Sequence, residues 1–163
     1  MSLRVRVLVA MVATLLVFGR EGLAQTATQV VRFQVNAINQ VAVSGSPAPL
    51  AINSATAGGA PTSVTGTGTS YAVTTNETNQ KIAASIDQAL PSGITLEVSL
   101  AAPSGASSAG AVTLSTSGAD VVTGISISSA SSLPITYRLS ATPAVQMSAP
   151  ATRVVTFTIV SGS

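Results

Sequence analysis

Period-2 alternation of apolar and polar residues is the dominant signal along the chain. In Val31-Arg32-Phe33-Gln34-Val35-Asn36 every second residue is large and apolar, with Arg, Gln and Asn between. The same pattern returns in Ile94, Leu96, Val98 and Leu100, in Ile135, Tyr137 and Leu139, and in Val155, Phe157 and Ile159. Successive side chains of a strand point to opposite faces, so each stretch predicts a strand with one face on a core and one in water. Weaker strands are predicted at Gln40 to Ser44, Leu50 to Asn53, Ser70 to Thr75, Lys81 to Ile86, Ala111 to Ser115 and Val121 to Ser128. Turn chemistry separates them at Ser44-Gly45-Ser46-Pro47, Ala57-Gly58-Gly59-Ala60-Pro61, Pro91-Ser92-Gly93, Pro103-Ser104-Gly105 and Ser117-Gly118.

Only Glu77 to Leu90 offers a helical reading, through Thr78, Ile82, Ile86 and Leu90. Ile82, Ala84 and Ile86 alternate equally well, so a strand is expected there, with a short helical turn near Asp87 to Leu90 as the alternative. Thr56 to Thr69, rich in Gly, Ser and Thr, reads as a flexible loop. The resulting expectation is an all-β chain: an antiparallel, immunoglobulin-like β-sandwich of about 8–10 short strands, preceded by a signal-peptide helix. A transmembrane β-barrel would need aromatic girdles at both interfaces, and aromatics are only 3% of the chain.

The first two dozen residues follow a different logic, that of a secretory signal peptide. Arg4 and Arg6 provide the positive start, and Val7 to Phe18 is an uncharged apolar run. At 1.5 Å per residue that run is too short for a hydrocarbon core of roughly 30 Å. Gly22 and Ala24 place small residues where signal peptidase reads, so cleavage is expected after Ala24. The expected organisation is a cleavable signal at 1–24 and a single β-sandwich domain at 25–163. The segment holds three of the seven basic residues. Beyond it, Arg32, Lys81, Arg138 and Arg153 are cancelled by Glu77, Asp87, Glu97 and Asp120. A near-neutral chain lacks the repulsion that keeps proteins apart, which favours self-association.

Composition narrows the chemistry. There is no Cys, His or Trp, and charged residues are 7%. Thiol nucleophiles, disulfides, His-based triads and Cys/His metal sites are thereby excluded, as is a basic nucleic-acid footprint. A Lys81-assisted Ser lacks the Ser-x-x-Lys spacing, because Thr78 stands three residues before Lys81. A paired-carboxylate site would need two of Glu77, Asp87, Glu97 and Asp120 to converge, and Glu97 falls on the polar face of its strand, where a solvated charge is expected. Asn76-Glu77-Thr78-Asn79 collects oxygens that could face Ca²⁺, but a hydrogen-bonded turn is the simpler reading; Asn76-Glu77-Thr78 is also a glycosylation sequon. Gly66-Thr67-Gly68-Thr69 lacks the Lys and following helix of a phosphate loop. With no Trp, Tyr71 and Tyr137 are the only candidates to stack on a sugar, and both run in phase with apolar neighbours, so a core position is expected for each. No catalytic, cofactor-binding or metal-ligating residue is therefore assigned, and no cofactor is expected.

In format the chain resembles small exported bacterial surface proteins of the pilin-like or fimbrial kind. The shared features are a cleavable signal, one Ser/Thr/Ala/Val-rich all-β domain and alternating apolar strands at both ends, Val30 to Val35 and Arg153 to Val160. The resemblance implies a non-enzymatic secreted or cell-surface structural protein that self-associates through edge strands, by lending a strand to a neighbour. The chain departs from chaperone–usher pilins in lacking a Cys pair and in having only a few residues before Val30, so donation would use the first or the last strand itself. The alternative expectation is an extracellular carbohydrate- or protein-binding β-sandwich module. Neither reading involves nucleic acid, or a membrane after signal cleavage.

Overall fold

In a computed structural model, residues 25–146 and 149–163 are described. The expected signal peptide and its helix lie outside the described residues. The chain divides after Gln34: residues 25–34 belong to a first unit, and Val35–Ser163 form the second.

The second unit is all-β, without a helix among the described residues. Its strands are β1 (Asn39–Ser44), β2 (Val64–Thr75), β3 (Gln80–Ile86), β4 (Ile94–Leu100), β5 (Ser107–Ser108), β6 (Val112–Thr113), β7 (Ala119–Ile125), β8 (Ser128–Ala141) and β9 (Val155–Ser161). They form two antiparallel sheets, one in the order β1-β2-β8-β4-β6 and the other β5-β7-β3-β9. Inward residues of both sheets meet in one sandwich-like cluster. Tyr71, Val73, Val98, Leu100, Ile135 and Tyr137 come from the first sheet, and Ile82, Ala84, Ile86, Val121, Val122 and Ile125 from the second. The alternation in β3, where Gln80, Ile82, Ala84 and Ile86 are buried and the residues between are not, is the strand period made visible. Strand, not helix, is thus what 80–86 adopts.

Three expectations need correction. Val31 to Asn36 forms no strand, although its alternation is as regular as any in the chain. The reason is topological. Asn39 at the head of β1 pairs with Thr75, the last residue of β2, so β2 has no backbone left to pair with anything upstream. Leu50 to Asn53 is not a strand either. Pro47 and Pro49 interrupt the ladder there, and Leu50 instead packs on Gly66, where an added Cβ would come within 2.8 Å of Leu50 Cδ2. Conversely, Gly66 to Thr69, read as loop, lies inside β2. The ladder to β8 shifts register between Gly66 and Thr69, and Gly68 at φ +89° absorbs the extra residue as a bulge.

Charges on the outer faces are paired. Glu97 does not stand alone in solvent. It sits directly across from Arg138 in the β4–β8 ladder and accepts its Nη1 at 3.1 Å. Lys81 and Asp120 form a second pair at 3.0 Å. Both pairs are partly exposed, so their worth is small. Arg138→Ala is expected to lower stability by only about 0.2–1 kcal/mol in urea titration, with less effect at high salt. A loss of several kcal/mol would mean that the pair organises the β4–β8 seam.

Candidate functional site

The residues singled out for chemistry do not gather. Glu77 lies in the β2–β3 turn, Asp87 just after β3, Glu97 in β4 and Asp120 in β7. Among the described residues no group of three Asp or Glu side chains converges to hold a metal. The side-chain oxygens of Asn76 and Glu77 are engaged with the chain at 38–39. Asn76 Oδ1 accepts the Ile38 amide at 2.7 Å, while its Nδ2 donates to the Asn36 carbonyl at 2.8 Å. Asn39 Nδ2 donates to the Glu77 carboxylate, and the Thr75 hydroxyl donates to Asn39 Oδ1. This turn is a clasp that fixes the backbone at 36–39 just before β1.

Tyr71 and Tyr137 are buried, 2% and 7% exposed, so neither ring presents a face to a ligand. The Tyr71 hydroxyl donates to the Ala101 carbonyl. Burial pushes the Tyr71 phenol up to about 12 and raises that of Tyr137.

Two surface features do stand out. The first is residues 25–38, which form no strand. Val31, Phe33 and Val35 are 72%, 92% and 77% exposed, and Val30 is exposed as well. Isolated apolar residues on a surface are ordinary, but an alternating series in one short segment is not. The sequence pattern flagged these residues, although for burial within their own domain.

The second feature is an apolar groove of about 410 Å³. It lies between the edge of one sheet and the face of the other, walled by Pro49, Leu50, Leu96, Leu139, Val155 and Phe157, with Val43 and Ala48 at its rim. Local sequence explains why it is open. Gly45, at φ +78° and too close to the Gly68 carbonyl to carry a Cβ (2.7 Å), turns the chain off the end of β1. Pro47 and Pro49 then keep the following residues from continuing the ladder. On the far wall, Arg153 donates to the Gln88 and Ala89 carbonyls, and the Val154 amide donates to Asp87, which anchors the start of β9. Sequence reasoning missed this groove, because its walls come from four separate stretches of chain. A smaller dent of about 120 Å³ lies beside the Glu97–Arg138 pair.

Compared with protein-family models, with curated proteins and with solved structures, the chain matches none.

Proposed function

We propose that this is a non-enzymatic secreted or cell-surface structural protein whose copies self-assemble. Its domain is read as an immunoglobulin-like sandwich at 25–163, delivered outside the cytoplasm (extracellular, cell surface or periplasm) by a signal peptide ending at Ala24. The observation that carries the reading is the alternating apolar series Val31, Phe33 and Val35, each more than 70% exposed in one short segment. Leaving three large apolar side chains in water forgoes roughly 1.5–3 kcal/mol each relative to burying them, so a partner that covers them gains directly. Cancelled charge beyond residue 24 removes the repulsion that would oppose copies meeting.

A second reading, a carbohydrate- or protein-binding module, is favoured by the groove. Its lining suits an apolar peptide segment better than a sugar, since Tyr137 in its wall is 7% exposed. Sedimentation velocity and negative-stain imaging of the chain from Gln25 to Ser163, across two decades of concentration, separate the two. Concentration-dependent oligomers or filaments are expected; a strict monomer throughout would discard assembly and leave the binding module.

A further inference from the structure

We infer that the groove is a binding site for a single-chain aliphatic carboxylate, its hydrocarbon tail held between the two sheets and its carboxylate on Arg153. This goes beyond the self-assembly reading and does not depend on it.

The walls come from both sheets. Val43, Leu96, Tyr137 and Leu139 belong to β1, β4 and β8, and Val155 and Phe157 to β9. β1 lies against β9, and the connections at 47–50, 90 and 151–153 supply the rest of the lining. Among the described residues, eleven of the thirteen that line the groove are Ala, Val, Leu, Pro or Phe. Leu50, Leu96 and Phe157 are only half-buried, so hydrocarbon that an apolar tail could cover stays in contact with water. The volume, about 410 Å³, falls in the range of roughly 300–1,000 Å³ that small-molecule sites occupy.

The remaining two lining residues, Arg153 and Tyr137, set the chemistry of the head group. No Asp or Glu stands among the described lining residues. Arg153 runs in phase with Val155 and Phe157, which line the same wall. Its Nε, Nη1 and Nη2 donate to the carbonyls of Gln88, Thr152 and Ala89 at 3.1, 2.7 and 3.1 Å. These bonds fix the guanidinium, yet every acceptor is neutral. The ion pairs among the described residues use Lys81 and Arg138, and Asp87 accepts the Val154 amide instead. A guanidinium carries five N–H donors in a planar fork, so one N–H on each terminal nitrogen remains for an anion. Tyr137 is 7% exposed, and its hydroxyl has no hydrogen-bond partner among the described residues, whereas the Tyr71 hydroxyl reaches the Ala101 carbonyl. Both polar groups can donate, and a carboxylate is acceptor-only. An apolar cleft with an unpaired guanidinium in its wall therefore complements an anionic amphiphile and opposes a cationic one.

Calorimetric titration of the chain from Gln25 to Ser163 with decanoate, kept as monomers in solution, tests this. Saturable binding of one decanoate per chain is expected, with octanoate roughly tenfold weaker because two fewer methylenes are buried. Decanol, with the same tail and no charge, should bind about tenfold more weakly than decanoate, and decyltrimethylammonium should give no saturable heat. Arg153→Gln should reduce the preference for decanoate over decanol to near one, while Arg153→Lys retains part of it. Because Arg153 also anchors the start of β9, a second variant guards against misfolding. Ala48→Trp, at an exposed lining position, should abolish decanoate binding with an unchanged melting temperature. Decanoate binding that survives Ala48→Trp would place the ligand elsewhere and overturn the inference. Equal affinity of the wild type for decanoate and decanol would overturn Arg153 as the head-group site and leave the groove to an uncharged apolar occupant. An absence of saturable binding would overturn the site outright. Sedimentation of the same sample then says whether another copy covers the groove or it stands open on a monomer, so the self-assembly reading is judged separately.

Discussion

Val98→Asp is expected to leave the chain unfolded at 25 °C. Val98 is fully buried in β4, paired across the sheet with Tyr137 on one side and Val112 on the other. A carboxylate there would lose its hydration without a cation to replace it, since Arg138 and Lys81 lie in pairs on the outer faces. The cost exceeds about 4 kcal/mol, against a total stability of order 5–15 kcal/mol for a domain of this kind. Ser99→Asp, one residue on, turns the same charge to the outer face and should cost about 1 kcal/mol or less. Far-UV circular dichroism during a melt checks both, and similar melting curves for the two variants would refute the strand phase.

Tyr71 carries the second large effect. Its ring sits in the shared cluster and its hydroxyl satisfies the Ala101 carbonyl. Tyr71→Ala removes a buried ring and should cost about 3–5 kcal/mol. Tyr71→Phe keeps the packing, loses one hydrogen bond and should cost about 0.5–1.5 kcal/mol. The two variants also differ from wild type in alkali. The folded phenol titrates near 12, above its ordinary value of 10.0, so the unfolded chain gives up the proton first. Protons bound to the unfolded state then number fewer than in the folded one, and stability falls as pH rises from about 10 to 12. Below pH 10 the contribution of this group is constant. Tyr71→Phe should remove most of that alkaline decline, leaving the smaller share due to Tyr137, whose phenol is raised by burial in the same direction. Urea titrations at pH 8 and pH 11 measure the difference; an unchanged pH dependence in Tyr71→Phe would assign the decline elsewhere.

Strand type was largely legible in the residues. Ile94 to Leu100, Ile135 to Leu139 and Val155 to Ile159 are strands, with alternate residues turned toward the core as their pattern requires. Lys81 to Ile86 resolved correctly because three alternating apolar residues sit between two turns, with too little length for a helix to bury a face. Strand ends were less legible. β2 and β8 reach 12 and 14 residues because each stabilises the other along a long ladder, which carries Gly66 to Thr69 and Ser128 to Pro134 into sheet despite their loop-like composition. Ser107–Ser108 pairs with β7 for the same reason, having no pattern of its own.

What the sequence determined by itself is local: the alternation that makes these segments strands, the glycines and prolines that end them, and the lack of His and Cys that narrows the chemistry. What only the tertiary structure decided is where each alternating segment finds a partner. Val31 to Val35 and Val155 to Ile159 carry the same pattern, yet β9 zips onto β3 while the earlier segment forms no strand and stays exposed. Alternation fixes which side chains share a face, a property of neighbours along the chain. Pairing depends on which backbone edges remain open after the other strands have docked, and that is set by contacts far apart in sequence. The groove beside β9 belongs to the second kind, since residues 43 and 157 line it together only once both sheets are built.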